Sequence, residues 1–179
     1  MTTSTGGIPR RRWTAKWSPL KATLVATAFA VPFSLAFLFI GAHWRIGFDP
    51  QARRCLPYRA YLLETHKPEQ VERGRIYYYL TEGAAPTPDG TRAVKIVAGV
   101  AGDRVVVDER GVWVNGDLWG PLNERVLARA SKSPASVRAD YVLADRQVLM
   151  LGTSENSWDG RYWGPLGTHR ILGEARPLW

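Results

Sequence analysis

Cysteine is nearly absent, with Cys55 the one thiol in a chain of 179 residues. An exported domain that used cysteine structurally would carry an even number, so no disulfide framework is expected. A lone cysteine is either a small buried hydrophobe or a free reactive thiol, and the count alone favours the first. Histidine is also scarce. His43, His66 and His169 are scattered without ligand spacing, so no metal is expected, and no glycine-rich phosphate loop points to a cofactor. Acidic residues are in the minority, 16 against 24 Lys and Arg, for a net charge of +8. That balance would suit nucleic acid, but its placement argues otherwise. Arg10, Arg11, Arg12, Lys16 and Lys21 crowd the N-terminus, where anionic lipid headgroups would satisfy them, so no nucleic-acid partner is expected.

Charge is missing altogether from Ala22 to Ala42, a run of 21 residues. About 20 apolar residues in a helix span the hydrocarbon core of a membrane. Pro32 near its middle is tolerated better there than in a soluble helix. Trp13, Trp17 and Trp44 flank the run as an aromatic belt would. A cleaved signal peptide would have a shorter apolar region, roughly 7–15 residues, followed by a small-x-small site, whereas His43-Trp44-Arg45 follows here. A buried core helix is the other alternative. The expected organisation is a basic cytoplasmic tail (1–21), a transmembrane anchor (22–42) and an exported domain (43–179). The excess of basic residues before the span puts the tail inside and the domain outside the inner membrane.

The exported part reads as many short strands. Residues 43–57 lead away from the membrane, with Gly47, Asp49 and Pro50 as breakers. Arg59–Leu63, Arg75–Leu80, Ala93–Ala98, Arg104–Val107, Tyr141–Leu143 and Gln147–Leu151 carry strand composition. Gly111–Asp117 contains Asn-Gly, the strongest short hairpin signal. Asn123–Ala130 reads as a short helix, Ser131–Ser136 as a loop, and the C-terminal stretch as glycine-rich turns. The fold class is therefore mainly β, behind one N-terminal transmembrane helix.

Three segments in order resemble the signal peptidase I (S26) family, whose members use a Ser/Lys dyad. Cys55-Leu56-Pro57 is similar to the family's Ser-x-Pro just after the anchor. TRAVKIVAGVAGDRV, around Lys95, is similar to its Lys-Arg-Val-x-x-x-x-Gly-Asp segment, and Val114-Asn115-Gly116 follows at the expected place. GTSENSWDGRYWGP, from Gly152 to Pro165, resembles the Gly-Asp-Asn-x-x-x-Ser-x-Asp-Ser-Arg-Tyr-x-Gly box. The short Cys-Leu-Pro form and the small size look most like the TraF-type conjugative transfer peptidases, which mature and cyclise pilin subunits.

The resemblance implies a signal-peptidase-like β domain with Cys55 in the place of the nucleophilic serine and Lys95 as the base. It gives Ser157 the role of orienting the lysine, and makes Asp159 and Arg161 a bracing ion pair. A nucleophile is activated by a neighbouring base, and desolvation favours neutral lysine. Val94, Ile96 and Val97 are expected to surround Lys95 with apolar side chains. A free thiol titrates near about 8.5, below free lysine, so the expected resting pair is thiolate and ammonium. The implied substrate is an exported pre-protein or pilin, cleaved through a thioester on Cys55 or cyclised when its own amine resolves that thioester.

Three positions depart from the family pattern. Thr153-Ser154 replaces Asp-Asn, Gly160 replaces the serine after the aspartate, and Arg53 stands where a hydroxyl residue often helps the oxyanion hole. The Cys55 backbone N–H and the Arg53 guanidinium are the oxyanion candidates. Losing one such donor costs about 2.7–4 kcal/mol in the transition state. A catalytically inactive, membrane-anchored scaffold or chaperone of a transfer apparatus is therefore the alternative reading.

Overall fold

The computed structural model describes residues 18–52 and 54–179. The basic tail through Trp17, and Arg53, lie outside the described residues.

The apolar run forms one helix, α1 (Pro19–His43), three residues longer at its start than the uncharged run and one longer at its end. Pro19 opens it at a position where the missing N–H is harmless. Ser18 accepts from the Lys21 N–H at 3.4 Å and from Ala22 through its carbonyl at 3.0 Å. The helix is long and apolar enough to cross a membrane.

The remainder is built on two antiparallel sheets. The larger has seven strands in the order β1 (Trp44–Phe48), β2 (Ala60–Glu64), β11 (Ile171–Pro177), β3 (Ile76–Leu80), β4 (Arg92–Gly99), β9 (Gln147–Leu151) and β10 (Leu166–Gly167). The smaller runs β7 (Asp117–Gly120), β6 (Gly111–Val114), β5 (Arg104–Asp108), β8 (Ala139–Val142). Apolar side chains from the smaller sheet (Val105, Val107, Val112, Val114) pack with Ala98, Leu149 and Leu151 of the larger one into one core. A second cluster, with Tyr77, Tyr79, Val97, Val148 and Met150, lies on β3, β4 and β9. The fold is mainly β.

The Asn-Gly hairpin forms as its sequence predicts. Asn115 and Gly116 both have positive φ, 54° and 91°, the backbone of the turn that suits strand twist. Asn123 caps α2 (Glu124–Arg129), its side chain accepting from the Arg125 N–H at 2.9 Å.

Four local expectations are corrected. Residues 44–48 are not a broken lead-in but strand β1, because register with β2 runs through Gly47, paired with Tyr61. Gly47 lets the Leu63 side chain lie close against it, where a Cβ would meet Leu63 Cδ1 at 2.7 Å. Within the expected 131–136 loop, Ser133 and Ser136 close a capping box that starts the one-turn helix α3 (Pro134–Val137). The expected terminal turns are instead β11, which gains strand structure by pairing with β2 on one side and β3 on the other. Finally, alternation along β4 puts Val94 and Ile96 on the opposite face from Lys95. Val97, Ala93 and, on β3, Tyr77 and Tyr79 share the lysine's face.

Candidate active site

Lys95 sits mid-strand in β4, cross-paired with Tyr77, and is 3% exposed. Lysine is almost never this buried without a partner. Here the partner is Ser157, fully buried, whose Oγ lies 3.0 Å from Lys95 Nζ. Lys95 has no carboxylate partner among the described residues. A hydroxyl can donate to or accept from an amine, so this contact tolerates either protonation state.

Ser157 is held by the segment between β9 and α4 (Gly160–Trp163). Asp159 caps α4, accepting from the Arg161 N–H at 3.2 Å. The Asp159 carboxylate also takes the Gly152 N–H at 2.8 Å and Arg161 Nη2 at 2.7 Å. The ion pair is enclosed, with side chains 0% and 2% exposed. Burial works against the Arg161 cation, but the hydrogen bonds it donates to Asp159 and that residue's charge outweigh it, and its pKa is raised. Arg161 Nη2 further donates to the carbonyl of Ser154 at 2.9 Å, and Nη1 to that of Pro121 at 3.2 Å. A buried pair needs such extra hydrogen bonds to offset desolvation.

This turn in turn holds the cysteine. The Thr153 and Ser154 N–H groups donate to the Cys55 carbonyl at 3.0 and 3.2 Å. Gly152 makes the approach sterically feasible, since a Cβ there would lie 2.3 Å from Ser157 Oγ and 2.8 Å from Cys55 O. Two of the three departures from the family pattern thus have structural explanations. Thr153-Ser154 still supplies the two backbone donors, and a Cβ at Gly160 would press on Leu149 Cδ1 at 2.8 Å. Arg53, the third, is outside the described residues. The Cys55 N–H has no backbone acceptor among them.

Cys55 is half-buried, and it lines one cleft with Lys95. The cleft holds about 840 Å³ and runs between β1, with the Asp49–Ala52 segment behind it, and β4. Tyr61, Tyr79, Ala84, Trp158 and Trp163 contribute to its walls. Burial raises the phenols of Tyr61, to about 12, and of Tyr79. Among the described residues the hydrogen bond of the Lys95 amine goes to Ser157, and Cys55 Sγ makes none. No group of three or more His, Cys, Asp and Glu with metal-binding proximity occurs among the described residues.

Of the residues singled out in the sequence, Lys95, Ser157, Asp159 and Arg161 come together as one buried network beside Cys55. Gly152 enters the sequence reading only as the start of the matched box, and Trp158 only as a candidate for an apolar surface against the membrane; neither is given a role in the site. Gly152 matters only through contacts made across the fold. Trp158 stacks on Tyr162, ring centroids 5.1 Å apart, and donates Nε1 to the Ala84 carbonyl at 2.8 Å, pinning the 83–90 loop to the cleft.

The signal peptidase model of peptidase family S26 matches residues 20–179, nearly the whole chain. The chain belongs to the signal peptidase S26 family. It is 33% identical to a plasmid transfer protein TraF of Escherichia coli over 112 residues, covering 60% of this chain and 59% of the relative. It is also 33% identical over 106 residues to a Synechocystis protein named "Probable signal peptidase I-2", covering 58% of this chain and 46% of the other. The chain thus spans about half the length of these curated relatives. A signal peptidase I from Enterococcus faecalis aligns in structure at a TM-score of 0.37 and 20% identity, over 59% of this chain and 97% of that one. The matched family is one of signal peptidases.

Proposed function

We propose that this S26-family peptidase is anchored in the inner membrane by α1 and processes an exported pre-protein or pilin of a conjugation or secretion system, with Cys55 as nucleophile and Lys95 as its proton-transfer partner. The observation that carries this reading is a buried lysine amine held 3.0 Å from Ser157, in the same cleft as the one thiol of the chain. A buried amine with a hydroxyl partner and no ion pair suits proton transfer better than structural support.

The chemistry follows from these groups. The Cys55 sulfur attacks the scissile carbonyl carbon, and its proton passes to the Lys95 amine. The Cys55 N–H, and Arg53 by its place in the sequence, are the proposed donors to the oxyanion. Collapse breaks the C–N bond, with Lys95 delivering the proton to the leaving nitrogen, and a thioester remains. Water resolves it to a carboxylate and the free thiol. The substrate's own N-terminal amine resolves it instead to a new peptide bond, giving a cyclic product. Thioesters favour amines over water more than oxygen esters do, so cysteine suits the cyclic outcome. Similarity to a plasmid transfer protein supports a substrate within a conjugative transfer system, for which the resemblance to TraF-type peptidases implies a pilin.

Co-expression of the full chain with the pilin of the same transfer system tests this. Processing is expected to stop in Cys55→Ala and in Lys95→Ala. Unchanged processing in Cys55→Ala would leave a scaffold or chaperone role in its place. The mass of the mature pilin separates the two resolutions, since a cyclic product lacks the water of a free terminus.

A further inference from the structure

Three arginines line the cleft that holds Cys55 and Lys95: Arg45 of β1, Arg92 of β4 and Arg129 of α2. All three are exposed, and none forms an ion pair with a described acid. Some surface guanidinium groups find carboxylates, as Arg104 does with Asp140, Arg138 with Glu109 and Arg176 with Glu64, while others such as Arg125 and Arg146 form no ion pair with a described acid; what distinguishes Arg45, Arg92 and Arg129 is that they share one cleft. The cleft lining offers them one carboxylate, Asp49, whose Oδ1 already accepts from the Gln51 N–H at 3.0 Å. The cleft is thus a basic channel.

The arrangement is also local. In the sheet order, β2, β11 and β3 separate β1 from β4, yet Arg45, Arg92 and Tyr78 of β3 all line this one cleft. Burial raises the Tyr78 phenol, and the charges of both arginines oppose that rise. Tyr78 itself cannot neutralise them, and its hydroxyl is engaged with the Glu64 carbonyl at 2.9 Å. Arg45 and Arg92 thus line one cleft whose lining holds a single carboxylate, Asp49, and neither forms an ion pair among the described residues. Arg129 lines the cleft along with Asn156 and Trp158.

We infer that Arg45, Arg92 and Arg129 select peptide substrates that carry carboxylate side chains beside the bond to be cut. The inference rests on the peptidase reading of this cleft. A guanidinium presents a planar fork that binds a carboxylate in two parallel hydrogen bonds. Walls of tyrosine and tryptophan exclude part of the solvent, which strengthens such a contact relative to open surface. The same charges repel a basic peptide, so the channel discriminates in both directions.

Binding, read without cleavage, tests this on the full-length chain in zwitterionic detergent micelles. The probes are fluorescein-labelled peptides of equal length built from alternating Ala and Glu, or Ala and Gln. The Ala-Glu peptide is expected to bind about tenfold more tightly than Ala-Gln, a preference that salt weakens. Arg45→Ala/Arg92→Ala should remove that preference. Arg138→Ala/Arg146→Ala, which deletes the same charge from exposed positions outside the cleft, should change it less than about twofold. Equal losses in the two double variants would reduce the effect to net charge and overturn the inference. So would equal affinity for the two peptides. Loss of association with phosphatidylglycerol vesicles in Arg45→Ala/Arg92→Ala, with peptide affinity intact, would assign the arginines to lipid headgroups and also overturn it. Failure of the catalytic reading appears elsewhere, as continued processing by Cys55→Ala, so the two failures are distinguishable.

Discussion

Lys95 Nζ lies 3.0 Å from Ser157 Oγ, and the two residues come from a strand and a loop 62 positions apart. Neither is accessible to solvent to any extent that matters, at 3% and 0% exposure. The amine is thereby fixed in direction, and in the proposed mechanism that direction sets its approach to the Cys55 thiol. Loss of the hydroxyl in Ser157→Ala is expected to lower kcat by roughly ten- to a hundredfold, the worth of one buried hydrogen bond to a charged or charging group, with little change in KM. Ser157→Thr keeps the hydroxyl and should recover part of the rate. Pilin-processing kinetics read both.

The Asp159–Arg161 pair is a structural clasp for the Gly152–Ser154 turn, and that turn carries the Cys55 carbonyl. Asp159→Ala leaves a buried guanidinium uncompensated and is expected to cost about 3–5 kcal/mol. Urea denaturation of the full chain in detergent measures it. Replacing both partners with apolar residues of similar volume should recover much of the loss in stability without recovering activity, because Gly152 and Ser154 lose their anchors.

Gly152→Ala places a methyl against backbone, 2.8 Å from the Cys55 oxygen, and backbone cannot swing aside. Activity should fall by more than tenfold, about 1.4 kcal/mol or more in the transition state, as the cysteine segment is displaced. Gly160→Ala meets the tip of the Leu149 side chain first and is expected to be milder. The ratio of the two rates checks the claim that Gly152 serves the site rather than the fold alone.

Tyr141 is a buried phenol whose hydroxyl has no partner among the described residues, and burial pushes its pKa up to about 12. A phenol raised in the folded state keeps its full contribution to stability below the ordinary value of about 10. That contribution is lost as pH rises toward about 12, because the unfolded chain ionises first. Tyr61, raised to about 12 chiefly by burial, acts with the same sign. The urea midpoint is therefore expected to fall above about pH 10, and less steeply in Tyr141→Phe. At neutral pH that variant should be more stable by about 1 kcal/mol, because an unsatisfied hydroxyl is removed.

Much of the site was legible in the sequence because its residues are chemically unusual where they stand. A lysine among β-formers, a Ser-x-Asp-x-Arg turn and a lone cysteine each invite explanation before any fold is known. The β hairpin at Asn115-Gly116 was legible because its turn chemistry is local. β1 and β11 were not. Trp44–Phe48 carries a glycine and follows an apolar run, and Ile171–Pro177 carries Gly173 and a terminal proline, so neither has strand composition of its own. Both become strands by pairing across the chain, β11 bulging at Gly173 where a Cβ would strike the Glu64 carbonyl. Gly152 was illegible for the same reason, since the atom it must admit belongs to a residue nearly a hundred positions away.

The central claim is that the Cys55 sulfur forms the bond to substrate, and intact-protein mass spectrometry of quenched reactions tests it most directly. The chain mixed with the proposed pilin substrate and stopped in acid is expected to carry a pilin acyl group on the peptide containing Cys55, released by hydroxylamine and absent from Cys55→Ala. Processing that proceeds at the full rate with Cys55 completely alkylated, and with no such adduct at any time point, would contradict it.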